Sequence, residues 1–129
     1  MKELSKEIWK CAEEISCSFL ERNGFLIICR NYSCEFGEID IVAEKDQVIV
    51  FAEVRSRSSD LQSAFSSVSV RKRLKIIRTA IHFLQDNRDY EGLCMRFDVI
   101  GILYNERSNL FQIKHLEDAF RVDELDEYL

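Results

Sequence analysis

The stretch Gly37-Glu38-Ile39-Asp40 is followed, after a short turn, by Phe51-Ala52-Glu53-Val54-Arg55. Residues two apart on a strand share a face, so Glu38 goes with Asp40 and Glu53 with Arg55. With a turn centred on Lys45-Asp46, Glu38 lies opposite Glu53, and Asp40 lies diagonal to it. Three carboxylates then converge beside one guanidinium. Like charges opposed across a sheet repel. Such a cluster either holds its protons more tightly or recruits a cation. Carboxylate oxygens suit a hard divalent ion, and Mg²⁺ is typically held by one or two carboxylates together with water and substrate phosphate. An ion of this kind can activate water against a phosphodiester, and Arg55 is placed to stabilise charge developing on phosphorus. The same residues also read as the wet face of an edge strand, with Arg55 in an ordinary ion pair.

The elements that must position these side chains follow from hydrophobic period and turn chemistry. Leu4, Ile8, Cys11, Ala12, Ile15, Phe19 and Leu20 recur at helical spacing over residues 3–22, and Asn23-Gly24 ends the run. Phe25 to Cys29 is a short apolar run, read as a buried strand, and Arg30 to Phe36 is polar and loop-like. Glu38 to Ala43 alternates in the manner of a strand, and Val48 to Val54 is β-branched and aromatic enough for a central one. Ser56 to Ser69 is serine-rich, a loop with at most a helical turn. Val70, Leu74, Ile77, Ile81 and Leu84 define a second amphipathic helix. Phe97 to Tyr104 and Leu110 to Leu116 read as two further strands separated by a turn. Helices interleaved with this meander predict a mixed sheet flanked by helices.

The 129 residues fit one domain spanning 1–129, and 47% apolar residues are enough for a core and too many for disorder. Without proline, and with four glycines, linker and low-complexity classes are excluded. No apolar run suits a membrane span, and the mixed charge of Met1 to Lys10 does not resemble a signal or transit peptide, so a cytoplasmic protein with no membrane partner is expected. Five cysteines without a C-x-x-C pair argue against a disulfide framework or a zinc site; Cys11, Cys17 and Cys29 are expected as small buried hydrophobes.

A net charge of −5 disfavours nucleic acid as a partner, but the charge is segregated. Arg55 to Arg78 holds seven basic residues against one acid, whereas Glu117 to Leu129 holds six acids against one base. Arg57, Arg71, Lys72, Arg73 and Lys75 are the candidate phosphate contacts. A solvated helix face beside an acidic tail is the plainer reading of the same pattern.

Several motifs occur in order: Phe19-Leu20 with Gly24, Arg30-Asn31, Gly37-Glu38-Ile39-Asp40, Phe51-Ala52-Glu53-Val54-Arg55-x-Arg57, Lys72, Ala80, Arg96-Phe97-Asp98 and Ala119-Phe120. In this combination the chain resembles the YraN-type bacterial family, itself related by fold to PD-(D/E)xK endonucleases and Holliday-junction resolvases. The resemblance implies a restriction-endonuclease-like three-layer α/β/α domain. It implies a metal-dependent endonuclease acting on DNA, branched or damaged, with Mg²⁺ or Mn²⁺ as cofactor. Asp40 and Glu53 would be the metal carboxylates, and Glu13 an acid reaching the metal from the first helix. Arg55 falls where related nucleases carry lysine; arginine does not deprotonate, which leaves charge stabilisation and excludes a general base. A homodimer presenting two sites, as in junction resolvases, is compatible with the resemblance, although no segment reads as an obvious seam. The reading from another class is a non-catalytic nucleic-acid-binding or protein-interaction module that retains the fold. Arg96 and Asp98 share a strand face and are expected to pair with each other.

Overall fold

A computed structural model describes residues 2–57 and 60–128. Helix α1 (Lys2–Arg22) is followed by strands β1 (Leu26–Cys34), β2 (Gly37–Lys45) and β3 (Val48–Arg57). Helices α2 (Leu61–Ser66) and α3 (Val70–Asp86) then lead to β4 (Cys94–Asn105) and β5 (Leu110–Phe120), with 3-10 turns at Arg88–Tyr90 and Asp123–Tyr128. The five strands lie in chain order in one sheet. Only β3 and β4 run parallel. Parallel neighbours need a long crossover, and α2 and α3 supply it.

Alternation along β3 divides the core in two. Ile49 and Phe51 face α3, where they pack with Ile77, Ala80, Phe83, Phe97 and Val99. Val50, Ala52 and Val54 face α1, where they pack with Ala12, Cys17, Leu20, Ile100 and Ile102. Each fully buried aliphatic or aromatic side chain of this kind contributes about 1.5–3 kcal/mol. The result is the expected restriction-endonuclease-like three-layer α/β/α arrangement around a mixed sheet. No helix among the described residues is long and apolar enough to cross a membrane.

Local chemistry fixes the ends of the elements. Gly24 closes α1 at φ 88°, with Phe25 N–H donating to Leu20 O and Gly24 N–H to Glu21 O. That is a Schellman cap, which favours glycine because the left-handed region leaves a Cβ little room. Ser69 caps α3 by accepting from Lys72 N–H at 3.2 Å, and Asp60 caps α2 through Ser63 N–H at 2.6 Å.

Arg30 to Cys34 continues β1 and is not a loop, because the backbone pairing with β2 satisfies its polar groups whatever the side chains. β1 is accordingly an edge strand with Leu26 65% exposed, not a buried one. Of the cysteines, Cys17 is buried, Cys29 half-buried and Cys11 exposed; all five are free thiols.

The β2–β3 turn is centred on Asp46 and Gln47, at φ 52° and 67°, rather than on Lys45-Asp46. Two successive positive φ values make it a type I′ turn, which suits right-handed strand twist but favours glycine at its second position. Gln47→Gly is therefore expected to raise stability by about 0.5–1 kcal/mol; an unchanged or lower urea midpoint would contradict the turn assignment.

Candidate active site

Moving the turn by one residue changes every cross-strand partner by two and leaves the faces unchanged. Ile41 pairs with Ala52, so the next step of the register sets Asp40 opposite Glu53. Glu38, expected opposite Glu53, lies beyond the last β2–β3 pair and is exposed. The ladder ends at Ile41, and the Asp40 carboxylate takes the next donor: Val54 N–H donates to its Oδ2 at 2.8 Å. The strands part at this point, leaving two nearly buried carboxyl groups at the opening, Asp40 at 6% exposure and Glu53 at 5%.

Glu53 lies on the α3 face, in phase with Ile49 and Phe51. Arg55 Nη2 stands 3.3 Å from Glu53 Oε1, and Lys72 Nζ reaches the same oxygen at 3.8 Å. Lys72 sits at the third position of α3, where the Ser69 cap fixes the backbone. Glu13 comes from α1, also nearly buried, and its charge is felt at Asp40. Arg30 Nη2 lies 3.8 Å from Glu13 Oε1. Arg30 joins the site because β1 extends through it and aims it at Glu13; its one signal in the sequence is the Arg30-Asn31 motif, which lies in a polar stretch that reads as a loop.

Burial pushes Asp40 up to about 8, helped by the negative charge of Glu53 and opposed by the Val54 hydrogen bond. Burial also raises Glu53, but Lys72, Arg55 and a hydrogen bond with Asp40 pull it back. The two groups act as one pair that keeps a proton at neutral pH. Burial holds the proton most tightly on Asp40, whereas Lys72 and Arg55 favour the charged form of Glu53.

These side chains fit a divalent ion. Among the described residues Asp40 makes no ion pair, and Glu13 Oε1 is buried with no hydrogen-bond partner. Among the described residues no group of three acid, histidine or cysteine side chains forms a ready-made cage. A two-carboxylate site with open positions suits Mg²⁺, whose remaining positions go to water and phosphate.

The basic residues separate into groups. Arg71 and Lys75 are exposed and, with exposed Arg78, lie on one face of α3 at i, i+4 and i+7, beyond Lys72. Arg73 is occupied structurally: its Nε–H donates to Val68 O at 3.0 Å and its guanidinium covers the Phe120 ring. Arg57 donates to the carbonyl of Ser56 next to it.

Arg96 and Asp98 pair as expected, through two hydrogen bonds of 2.8 Å each. Asp98 is fully buried and also accepts from His115 Nε2 at 2.6 Å and from Asp118 N–H at 3.0 Å. Burial alone would push the Asp98 carboxyl up, but the bonds from His115, Arg96 and Asp118 outweigh it and hold the group below the usual range. His115 lies edge-on to Phe19 and Phe25. This network joins β4, β5 and α1 on the face opposite Glu53. It is a structural tie and not part of the carboxylate site.

Comparison with known proteins supplies a family. A model described as "Uncharacterised protein family UPF0102" matches residues 12–102. A UPF0102 protein of Clostridium perfringens (strain 13 / Type A) is 41% identical over 95% of this chain and 100% of its own length. One from Clostridium acetobutylicum is 34% identical over 95% and 100% of the two chains. A third, from Sulfurihydrogenibium sp. (strain YO3AOP1), is 38% identical over 88% and 94%.

Proposed function

This chain belongs to the uncharacterised UPF0102 family, and on that footing we propose that it is a divalent-metal-dependent endonuclease acting on DNA. The observation that carries the reading is the nearly buried Asp40–Glu53 pair beside two cations at the open end of the sheet. Burying two acids against each other lowers stability. A fold has reason to keep such an arrangement where something positive binds it.

Asp40 and Glu53 would hold the ion, with Glu13 behind Asp40. A bound Mg²⁺ or Mn²⁺ would supply the activation of water and the neutralisation of phosphate charge. Arg55 and Lys72, already drawn to Glu53, present N–H donors to a phosphate approaching the opening. Arg71, Lys75 and Arg78 extend a basic stripe along which the backbone of a strand can run, without reading sequence.

Arg55 favours a second reading, a DNA-binding module without catalysis, because a guanidinium does not act as the proton acceptor that hydrolysis needs. Supercoiled plasmid and a four-way junction, each incubated with Mg²⁺, Mn²⁺ or EDTA, separate the two. Metal-dependent nicking that disappears in Glu53→Gln is the expected result. Binding without cleavage in any metal would leave the module reading, and cleavage that persists in EDTA would overturn the assignment.

A further inference from the structure

A cavity of about 250 Å³ opens on the α3 face of the sheet, between α2, the start of α3 and β5. Its position is set by register. Val99, on its wall, pairs with Glu53 on one side and with Leu116, also on the wall, on the other. Paired residues share a face, and neighbouring strands lie about 4.8 Å apart. The cavity is therefore the next space along the sheet from the candidate carboxylates.

Its chemistry is that of a slot for a flat heterocycle. Val68, Val99, Ala119 and Phe120 make an apolar floor. Phe65 forms one side and is held close to the sheet by Gly101, where a Cβ would come within 3.1 Å of the ring. The Arg73 guanidinium, fixed by the Val68 carbonyl and the Phe120 ring, offers a second flat surface. Leu116, at 38% exposure, stands at the mouth. Gln62 is exposed at the rim and carries both a donor and an acceptor. Aromatic rings and guanidinium planes are the surfaces on which unpaired bases stack, and an amide can bond to a base edge.

We infer that this cavity takes one unstacked base of the strand whose phosphate lies at Asp40 and Glu53, an inference that rests on the endonuclease reading. A base reaches the slot only where it is free of its partner. Single-stranded, branched or damaged DNA would therefore be bound in preference to intact duplex, since unstacking costs least there.

The test uses the whole protein in EDTA, so that binding is read without cleavage. The probes are a short single-stranded oligodeoxynucleotide and a counterpart of equal length that is abasic throughout. With the first, the methyl NMR signals of Val99, Leu116 and Ala119 are expected to shift; with the second they stay in place while the basic stripe still binds. Leu116→Trp, which fills the mouth, should weaken binding of the base-bearing strand about tenfold and leave the abasic strand unaffected, as expected for the loss of one stacked base. Gln62→Ala, at an exposed position that threatens no packing, should weaken the base-bearing strand alone, by a smaller factor. Tight binding with unmoved methyl signals and an unaffected Leu116→Trp variant would overturn the base slot and leave the DNA reading intact. Equal signal shifts with the abasic strand would overturn it as well. Failure of either strand to bind at low salt would overturn the slot and the DNA-directed function together.

Discussion

Replacing Asp98 by alanine is expected to cost about 3–5 kcal/mol, the usual effect of removing one partner from a buried ion pair. Domains of this kind hold about 5–15 kcal/mol in total, so the variant should stand near unfolding at room temperature. The cost arises because Arg96, His115 and the Asp118 N–H all lose the same acceptor. Asp98→Asn keeps the shape but not the charge and should fall between the two. The pH dependence follows from the depressed carboxyl. A group held below its ordinary value contributes stability that is present above the unfolded pKa and lost as pH falls through the folded one. The wild type should therefore lose stability on the acid side of about pH 4, and Asp98→Ala should lose less there. Urea unfolding between neutral and acid pH measures both effects. A cost under about 1 kcal/mol at neutral pH, the range of an exposed ion pair, would mean that this network is not the tie proposed between β4, β5 and α1.

Asp40→Asn is expected to do the opposite, stabilising the metal-free protein. Asp40 has a folded value of about 8, above its ordinary one near 3.9, so the folded state holds a proton that the unfolded state has released. Stability then falls as pH rises from about 4 to about 8 and levels off above that. Asparagine can still accept the Val54 N–H while carrying no charge against Glu53. The variant should be more stable than wild type by ~2 kcal/mol at pH 8, with little difference near pH 5. With Mn²⁺ present the order should reverse. A ligand that binds only the folded state stabilises it by mass action, and the wild type should show a rise in melting temperature that the variant lacks. Melting curves at both pH values, in EDTA and in Mn²⁺, decide the matter. Equal Mn²⁺ shifts in the two proteins would remove Asp40 from the ligand set; a variant less stable at pH 8 in EDTA would show that the buried pair is not strained.

The sequence by itself determined the parity of the site. Strand period places Glu53 and Arg55 on one face and Asp40 on that same face across the hairpin, whether the turn is centred on Lys45-Asp46 or on Asp46-Gln47. It also determined the two amphipathic helices, whose apolar stripes must be buried against the sheet, and the Arg96–Asp98 pair, because residues two apart on a strand share a face. Tertiary structure decided what partner and depth could not be read from spacing. Which acid opposes Glu53 depended on a single residue in the turn, where Asp46 and Gln47 adopt left-handed backbone in place of the glycine that would have marked it. The length of β1 depended on β2 satisfying its backbone, which polar side chains at 30–34 conceal. His115 meets Asp98 from 17 residues away across a bulged register, and Lys72 meets Glu53 because a crossover helix returns over the sheet. Burial, and with it the raised proton affinity of Asp40, belongs to the packed core alone: the same carboxylate on an exposed hairpin would be solvated and ordinary.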